Sequence, residues 1–326
     1  MTPAVSIVLA TFNRLELLRS SVDSVLSQTF RDWELIIADD GSDEPTKRFI
    51  GSLESGRVRV LWLRHSGRAS VVRNAALRVA RGEYIAFQDS DDLWLPSKLE
   101  IQIGSLRRNP ERAWSHTKYQ LVDVSGAPTA WSLRTGGWPT PGGWILDQLI
   151  RGETVIALPS VVASRRLLEE AGGFDEQLSD TEDYELWLRL ARRSEIDAID
   201  ELLTLVRRHD QHFSAKPIEA FQAARCVIER QLRSPDVEHL RPVLLRQRAR
   251  VVVGLARSRA AAGQRRDALA TLIPGVRYFG RYPQFLPGAL AAIALVLMPR
   301  ALLGLLKRAR RARARVRDSL PVDHAD

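Results

Sequence analysis

Short apolar runs alternating with helix-patterned segments constrain this chain more than any other feature of its sequence. Val5–Ala10 (VSIVLA), Leu35–Ala38 (LIIA), Val58–Leu63 and Tyr84–Phe87 (YIAF) are runs of the buried-strand type. Between them, Leu15–Leu26 sets Leu15, Leu18, Val22, Val25 and Leu26 at helical spacing, and Ala69–Ala80 reads as a helix closed at Gly82. Strand–helix–strand repetition predicts an α/β fold, a mainly parallel sheet with helices on its faces. In such sheets a ligand sits off the carboxyl ends of the strands. Three of the runs end in polar residues: Thr11-Phe12-Asn13, Asp39-Asp40-Gly41-Ser42 and Asp89-Ser90-Asp91-Asp92. The fold class therefore gathers them at one edge, as a site requires.

Composition divides the chain. Its 326 residues suit one large domain with an appendage, and the net charge of +9 conceals an asymmetry. Residues 1–215 hold 26 Lys/Arg against 31 Asp/Glu, a net of −5, whereas residues 216–326 hold 22 against 8, a net of +14. Halves of opposite sign point to separate tasks. Cys226 is the lone cysteine, which rules out an internal disulfide and a multi-cysteine metal site. No basic segment precedes the first apolar run, so that run reads as a strand and not as a signal peptide.

From Gly126 to Gly152 the chain is rich in Gly, Pro and Trp, and reads as a long surface loop over the site. Trp131, Trp138 and Trp144 either stack on a flat ligand or pack the loop down; the sequence leaves both open. After residue 216 the pattern turns helical. Arg300 is the only charge between Gly288 and Leu306, and a tail follows with Lys307, Arg308, Arg310, Arg311, Arg313, Arg315 and Arg317. A membrane span needs about 20 apolar residues, and a central Arg costs about 2.5–3.5 kcal/mol. The expectation is therefore a broken helix lying in the interface, with residues 288–317 on an anionic membrane surface. A core helix with a solvated tail is the competing reading. Nucleic acid would use the charge but leave the apolar segment unexplained, so no nucleic-acid partner is expected.

Three carboxylates within Asp89-Ser90-Asp91-Asp92 repel one another unless a cation sits among them. Hard divalent ions take oxygen ligands and are commonly shared between one or two carboxylates and substrate phosphates. The cluster therefore reads as a metal–diphosphate site, against the plain alternative of a solvated acidic turn. Arg73, ahead of that strand, offers a planar fork for phosphate. Further on, Glu182-Asp183 opens a helix whose Tyr184, Trp187, Leu188 and Leu190 form an apolar stripe. Carboxylates there gain from the helix dipole whatever else they do. The functional reading is a general base at the mouth of the site.

In this order the motifs VSIVLATFNR, SVDSVLSQTFRDWELIIADDGS, RNAALRVARGEYIAFQDSDDLWLPSKL and GGFDE followed by TEDYELWLRLA resemble the family 2 glycosyltransferases of GT-A fold. The resemblance covers residues 4–191 and weakens after about residue 215. It implies a nucleotide-sugar enzyme with one Rossmann-like domain. On the matching positions, Ala10, Thr11 and Phe12 would contact the nucleotide base, and Asp40 would hydrogen-bond it. Arg73 would lie near the nucleotide, Asp89 and Ser90 at the ribose, and Asp91 would ligate Mn²⁺ or Mg²⁺. Asp183 would be the catalytic base. His209, in RRHDQHFS, falls where related enzymes sometimes place a further metal or phosphate contact; a structural histidine is the alternative.

The implied reaction is transfer of one sugar, with inversion, from a nucleotide-diphosphate sugar to a hydroxyl of a glycan or lipid-linked acceptor. By family habit the base is uridine, with deoxythymidine and guanosine open. A processive synthase would carry Gln-x-x-Arg-Trp and several spans, and neither is present. A non-catalytic nucleotide-binding relative would have lost the metal or base position, yet Asp91 and Asp183 both stand. The expected organisation is a catalytic domain over 1–215, a helical extension over 216–280 and a membrane-associating tail over 281–326. The expected setting is the cytoplasmic face of a bacterial plasma membrane, in surface polysaccharide synthesis.

Overall fold

The computed structural model describes residues 2–135, 137–208, 216–275 and 280–298. The chain separates into two compact units, Met1–Ala215 and Lys216–Asp326.

The first unit is an α/β structure. Its first half runs β1 (Val5–Thr11), α1 (Leu15–Leu26), β2 (Trp33–Asp39), α2 (Glu44–Ser52), β3 (Val58–Trp62), α3 (Ala69–Val79) and β4 (Tyr84–Asp89). It continues through β5 (Leu93–Trp94), α4 (Lys98–Arg108), β6 (Trp114–Val122), α5 (Ala130–Thr135) and α6 (Leu146–Arg151). The unit then closes with β7 (Val161–Ser164), α7 (Arg165–Ala171), α8 (Glu182–Leu190) and β8 (Ile196–Arg207). Among the described residues the strands form one sheet in the order β3-β2-β1-β4-β7-β6-β8-β5.

Strands β3, β2, β1 and β4 are all parallel, joined by crossovers whose helices cover the sheet. Both faces of β2, β1 and β4 are therefore buried, which is why they read as apolar runs, whereas the edge strand β3 is partly exposed. Val5, Ile7 and Leu9 share a core with Leu18, Val22 and Val25 of α1 and with Leu35 and Ile37 of β2. Each such side chain contributes about 1.5–3 kcal/mol on burial. Register then positions the site: Thr11 pairs with Asp39, and Ala10 pairs with Asp89. Three polar strand ends thus meet at one edge.

Beyond β4 the sheet changes character. Strand β7 is antiparallel to both β4 and β6, β6 is parallel to β8, and β5 is antiparallel to β8. The Gly/Pro/Trp-rich stretch, expected as one long loop, carries α5 and α6 and is tied down. Gly143 bridges to Ile196, and His116 Nε2 lies 2.9 Å from the Pro141 carbonyl. Burial lowers the His116 pKa to about 4, consistent with a neutral, structural imidazole. Trp144 is 60% exposed, so it does not pack this segment down.

The second unit is helical: α9 (Pro217–Gln231), α10 (Arg241–Ala262), α11 (Arg265–Leu272) and α12 (Leu286–Leu297). Small residues let its helices approach closely. A Cβ at Gly254 would fall 2.4 Å from the Phe221 ring, and one at Gly288 2.7 Å from Val253 Cγ1. Ala289 and Ala292 of α12 pack with Val253, Ala256 and Leu272, while Leu286, Leu290, Ile293 and Leu297 stay exposed. No helix among the described residues is long and apolar enough to cross a membrane. The 12 residues of α12 would cover about 18 Å at 1.5 Å per residue.

Candidate active site

The site is built on strained backbone. Asn13 and Arg14, which follow β1, have φ of 58° and 63°, and Thr181, which precedes α8, has φ of 60°. Left-handed non-glycine residues cost about 1–3 kcal/mol each and persist where surrounding contacts fix them. Here those contacts are explicit. The Asn13 amide donates to Ser42 Oγ at 2.7 Å, and Asn13 Oδ1 accepts from the Asp43 amide at 2.8 Å. The Asp40 amide donates to the Thr11 carbonyl at 2.9 Å. The turns after β1 and β2 are therefore locked together, with Ala10, Thr11 and Phe12 along their rim.

Asp40 is buried, and both of its carboxylate oxygens already hold protein donors. Oδ1 accepts from the Ser66 amide and hydroxyl at 2.8 and 2.9 Å, and Oδ2 from the Gly67 amide at 2.9 Å. The His65 ring stacks on Phe12 with centroids 4.2 Å apart and planes 25° from parallel.

The acidic loop after β4 is held by arginines. Arg14 Nη1 lies 2.7 Å from Asp91 Oδ2, joining the strained β1 turn to the loop. Arg207, at the end of β8, donates its amide to Asp92 Oδ1 at 2.8 Å and its Nε to the Asp91 carbonyl. Its remaining nitrogens reach Ser20 Oγ and the Leu17 carbonyl of α1. Ser90 is buried within the loop. Burial, with Asp91 and Asp89 nearby, pushes the Asp92 carboxyl well above the usual carboxylate range. Burial likewise raises Asp89, and Arg73 offsets this only in part.

Arg73 is the centre of the arrangement. From α3 it donates Nη2 to Asp89 Oδ1 at 2.8 Å and Nη1 to Glu182 Oε1 at 2.6 Å. Desolvation opposes its charge, yet Asp89 and Glu182 outweigh that and raise its pKa. The neighbouring Asn74 clamps the turn before α8: its Nδ2 donates to the Phe174 carbonyl and its Oδ1 accepts from the Phe174 amide, both at 2.9 Å. Gly173 is required there, because φ is +68° and a Cβ would lie 2.8 Å from Asn74 Oδ1.

Helix α8 carries the acids into place. Trp187 is buried, stacks on Trp114 at 5.7 Å and meets Phe87, so the helix is anchored in the core. Its first turn presents Glu182 and Asp183, where the helix dipole favours anions. Asp183 Oδ1 accepts from the Tyr184 amide at 2.7 Å. Desolvation, then the charge of Glu182, pushes the Asp183 carboxyl up to about 7. Tyr119 of β6 is buried, and both its burial and the Asp183 charge raise its phenol.

The strand ends, Asp40, Arg73, Asp89, Ser90, Asp91 and Asp183 thus belong to one unit, joined through Arg14 and through the Asp89–Arg73–Glu182 chain. His209 lies outside the described residues. Sequence reasoning missed Arg14, His65 and Arg207. Arg14 sits inside the TFNR motif and Arg207 closes the last strand, but nothing local marks either as a partner of the acids.

Among the described residues no group of three or more His, Cys, Asp or Glu forms a cation cage. The donor chemistry still fits a divalent ion of the shared kind: Asp91 offers oxygen beside the buried Asp92 and the half-buried Asp89, and a diphosphate would supply the rest.

Similarity to other proteins agrees with this geometry. The sequence profile described as Glycosyl transferase family 2 matches residues 6–142. The chain is 31% identical over 196 residues to WfgD of Escherichia coli, a UDP-Glc:alpha-D-GlcNAc-diphosphoundecaprenol beta-1,3-glucosyltransferase; the match covers 60% of this chain and 73% of that protein. Several Rickettsia relatives are matched over only about a third of their own length. Two solved structures share the fold. S. aureus TarS 1–349 in complex with UDP-GlcNAc aligns with a TM-score of 0.58 at 19% identity, over 88% of this chain and 79% of that one. The mannosyltransferase PcManGT from Pyrobaculum calidifontis, in complex with GDP-Man and Mn²⁺, gives 0.57 at 17% identity, over 91% and 87%. With its strand-end acids, its Arg73 clamp and this kinship, the chain belongs to glycosyl transferase family 2.

Proposed function

We propose that this chain is an inverting glycosyltransferase that moves one sugar from a nucleotide-diphosphate sugar, foremost a UDP-sugar, to a hydroxyl of a glycan or lipid-linked acceptor in bacterial cell-surface polysaccharide synthesis. The observation that carries the reading is the Asp89–Arg73–Glu182 chain, which ties the strand-end acids to the helix that presents Asp183. A carboxyl raised to about 7 is poised to take a proton near neutral pH. Asp183 removes the acceptor hydroxyl proton as the oxygen attacks the anomeric carbon on the face opposite the diphosphate. One base suffices for this single displacement; a hydrolase would need two carboxylates flanking the bond.

Ala10, Thr11 and Phe12 would contact the base, Asp40 would hydrogen-bond it, and Asp89 and Ser90 would contact the ribose. Asp91 would hold Mn²⁺ or Mg²⁺, which when bound would supply charge neutralisation for the leaving diphosphate. Arg73, with both terminal nitrogens engaged, acts as a positioning residue near the nucleotide. His209 is retained as a further metal contact.

The donor is supported by WfgD, whose name gives UDP-Glc, and the lipid-linked acceptor by its diphosphoundecaprenol substrate. Residues 1–215 carry catalysis, 216–280 form a helical extension, and 281–326 associate with the membrane on its cytoplasmic face. Supporting this last part are the exposed Leu286, Leu290, Ile293 and Leu297 of α12 and the seven Lys/Arg within residues 307–317. Each of these near anionic lipid adds about 1 kcal/mol.

Asp183→Asn tests the mechanism. With a UDP-sugar and a lipid-diphosphate acceptor, UDP release should fall by about 10²–10⁴-fold while donor binding and thermal unfolding stay unchanged. Retention of transfer within about threefold of wild type would remove Asp183 from the role.

A further inference from the structure

The second unit carries a cleft of about 370 Å³ among α9, α10 and α11. Sites for small ligands run from about 300 to 1,000 Å³, so its size suits a small molecule or a headgroup. Three arginines line it: Arg225 from α9, Arg233 just past the end of α9, and Arg248 from α10. The buried Val252 of α10 and Thr271 of α11 line it too. The Thr271 hydroxyl is already engaged, donating to the Asp267 carbonyl and accepting from Arg259 Nη1, each at 2.6 Å. That wall is therefore fixed by its own hydrogen bonds.

Glu229 of α9 is the one acid among the described residues that line the cleft. Arg225 lies four residues before it and Arg233 four after, the spacing at which helical side chains meet. Glu229 nevertheless reaches across to α10, where its Oε1 lies 2.6 Å from Arg248 Nη2. Both side chains of that pair are mostly buried, so the carboxylate serves to join the two helices. Arg225 and Arg233 are exposed, and among the described residues neither has a carboxylate within ion-pair distance. Three guanidiniums against one carboxylate leave an excess of two positive charges. Like charges gathered in this way repel one another unless an anion enters.

We propose that this cleft binds a phosphomonoester, with Arg225 and Arg233 gripping its oxygens. A phosphomonoester carries about −1.5 to −2 at neutral pH, which matches the excess of two positive charges. The guanidinium fork suits phosphate oxygens, which it can meet with two parallel N–H donors. The Glu229–Arg248 pair holds α9 against α10 and so fixes the helix from which Arg225 projects. Val252 gives the uncharged part of the ligand an apolar surface. A lipid headgroup and a free phosphorylated metabolite present the same chemistry to these residues. No residue of the first unit takes part, so the cleft binds its ligand whether or not that unit transfers a sugar.

Glycerol 3-phosphate and phosphatidic acid share a phosphomonoester on glycerol, one free and one in a membrane, and serve as the two probes. Both are tested on the full chain in EDTA at about 0.15 M ionic strength, where exposed charges more than about 8 Å apart are largely screened. Calorimetry reads glycerol 3-phosphate, and sedimentation reads phosphatidylcholine vesicles doped with phosphatidic acid. Arg225→Gln/Arg233→Gln should weaken binding at least about tenfold, since hydrogen bonds between ionised groups are the strong kind. Arg246→Gln/Arg250→Gln removes the same charge from exposed positions of α10 outside the cleft and should stay within about threefold of wild type. All four side chains are exposed, so both variants should unfold thermally as wild type does. A loss specific to the cleft variant in the vesicle arm, with or without the free ligand, identifies a lipid headgroup. A specific loss with the free ligand alone identifies a soluble phosphate. Equal behaviour of the two variants in both arms, or no binding of either probe by wild type, overturns the proposal.

Discussion

The two halves of the first unit's sheet are made differently, and the proposed reaction would draw on both. The parallel half, β3-β2-β1-β4, is built around apolar strands, of which β2, β1 and β4 are buried on both faces, with helices joining them. Its register sets Thr11 beside Asp39 and Ala10 beside Asp89, so it makes a binding edge almost as a by-product of folding. The other half, β7-β6-β8-β5, takes its strands from distant parts of the chain and pairs them in both senses, β7 and β5 antiparallel to their neighbours and β6 parallel to β8. It contributes the end of β8, with Arg207 against the acidic loop, and α8, whose first turn holds Asp183. In the proposed function one half would supply the donor edge and the other the base. Arg73 is the link, because it is the side chain that touches an acid from each.

Cutting that link should produce the largest change in stability. Arg73→Ala leaves Glu182 and Asp89 without their shared cation, and removing one partner of a buried pair costs about 3–5 kcal/mol. Urea unfolding of the full chain measures it. A loss below about 1 kcal/mol would mean that the halves hold together without the clamp.

A smaller effect sharpens the electrostatics. Glu182 lies beside Asp183 and its charge raises the Asp183 pKa. With the base active only when deprotonated, kcat/KM should fall as pH drops through about 7. Glu182→Gln removes the repulsion, so Asp183 keeps its ionised form to lower pH and the acid limb moves toward acid, by less than about one pH unit because desolvation remains. A limb that stays put, or moves toward alkali, would show that Glu182 does not tune the base.

The same division explains what was legible in the sequence. In the parallel half, Leu15–Leu26 was readable to the residue, and the strand runs were readable to within a few residues, because burial on both faces leaves contiguous apolar stretches. In the other half, β7 has four residues and β5 two, and β6 interleaves Ser115, Thr117, Lys118 and Gln120 with its apolar positions. Such segments become strands through partners far along the chain, which no local pattern reports. The Gly126–Gly152 stretch hid α5 and α6 for a related reason: neither helix exceeds six residues.

At the site, the acids were legible because strand ends are where an α/β sheet collects them. The companions of those acids were not. Arg14 reaches Asp91 from a left-handed backbone at Asn13 and Arg14 that their side chains do not announce. His65 owes its place to Asp40 and Phe12, and Arg207 reaches the acidic loop only once β8 has closed beside β5.

In the proposed function the strand-end edge would hold a nucleotide diphosphate with a divalent cation at Asp91. Thermal unfolding of the full chain with UDP, with and without Mn²⁺, and of Asp91→Ala under the same conditions, tests it most directly. At a hundred times its dissociation constant UDP should stabilise wild type by about 2.7 kcal/mol, dependent on Mn²⁺. The stabilisation should be lost in Asp91→Ala. An equal, Mn²⁺-independent shift in both proteins would contradict the account.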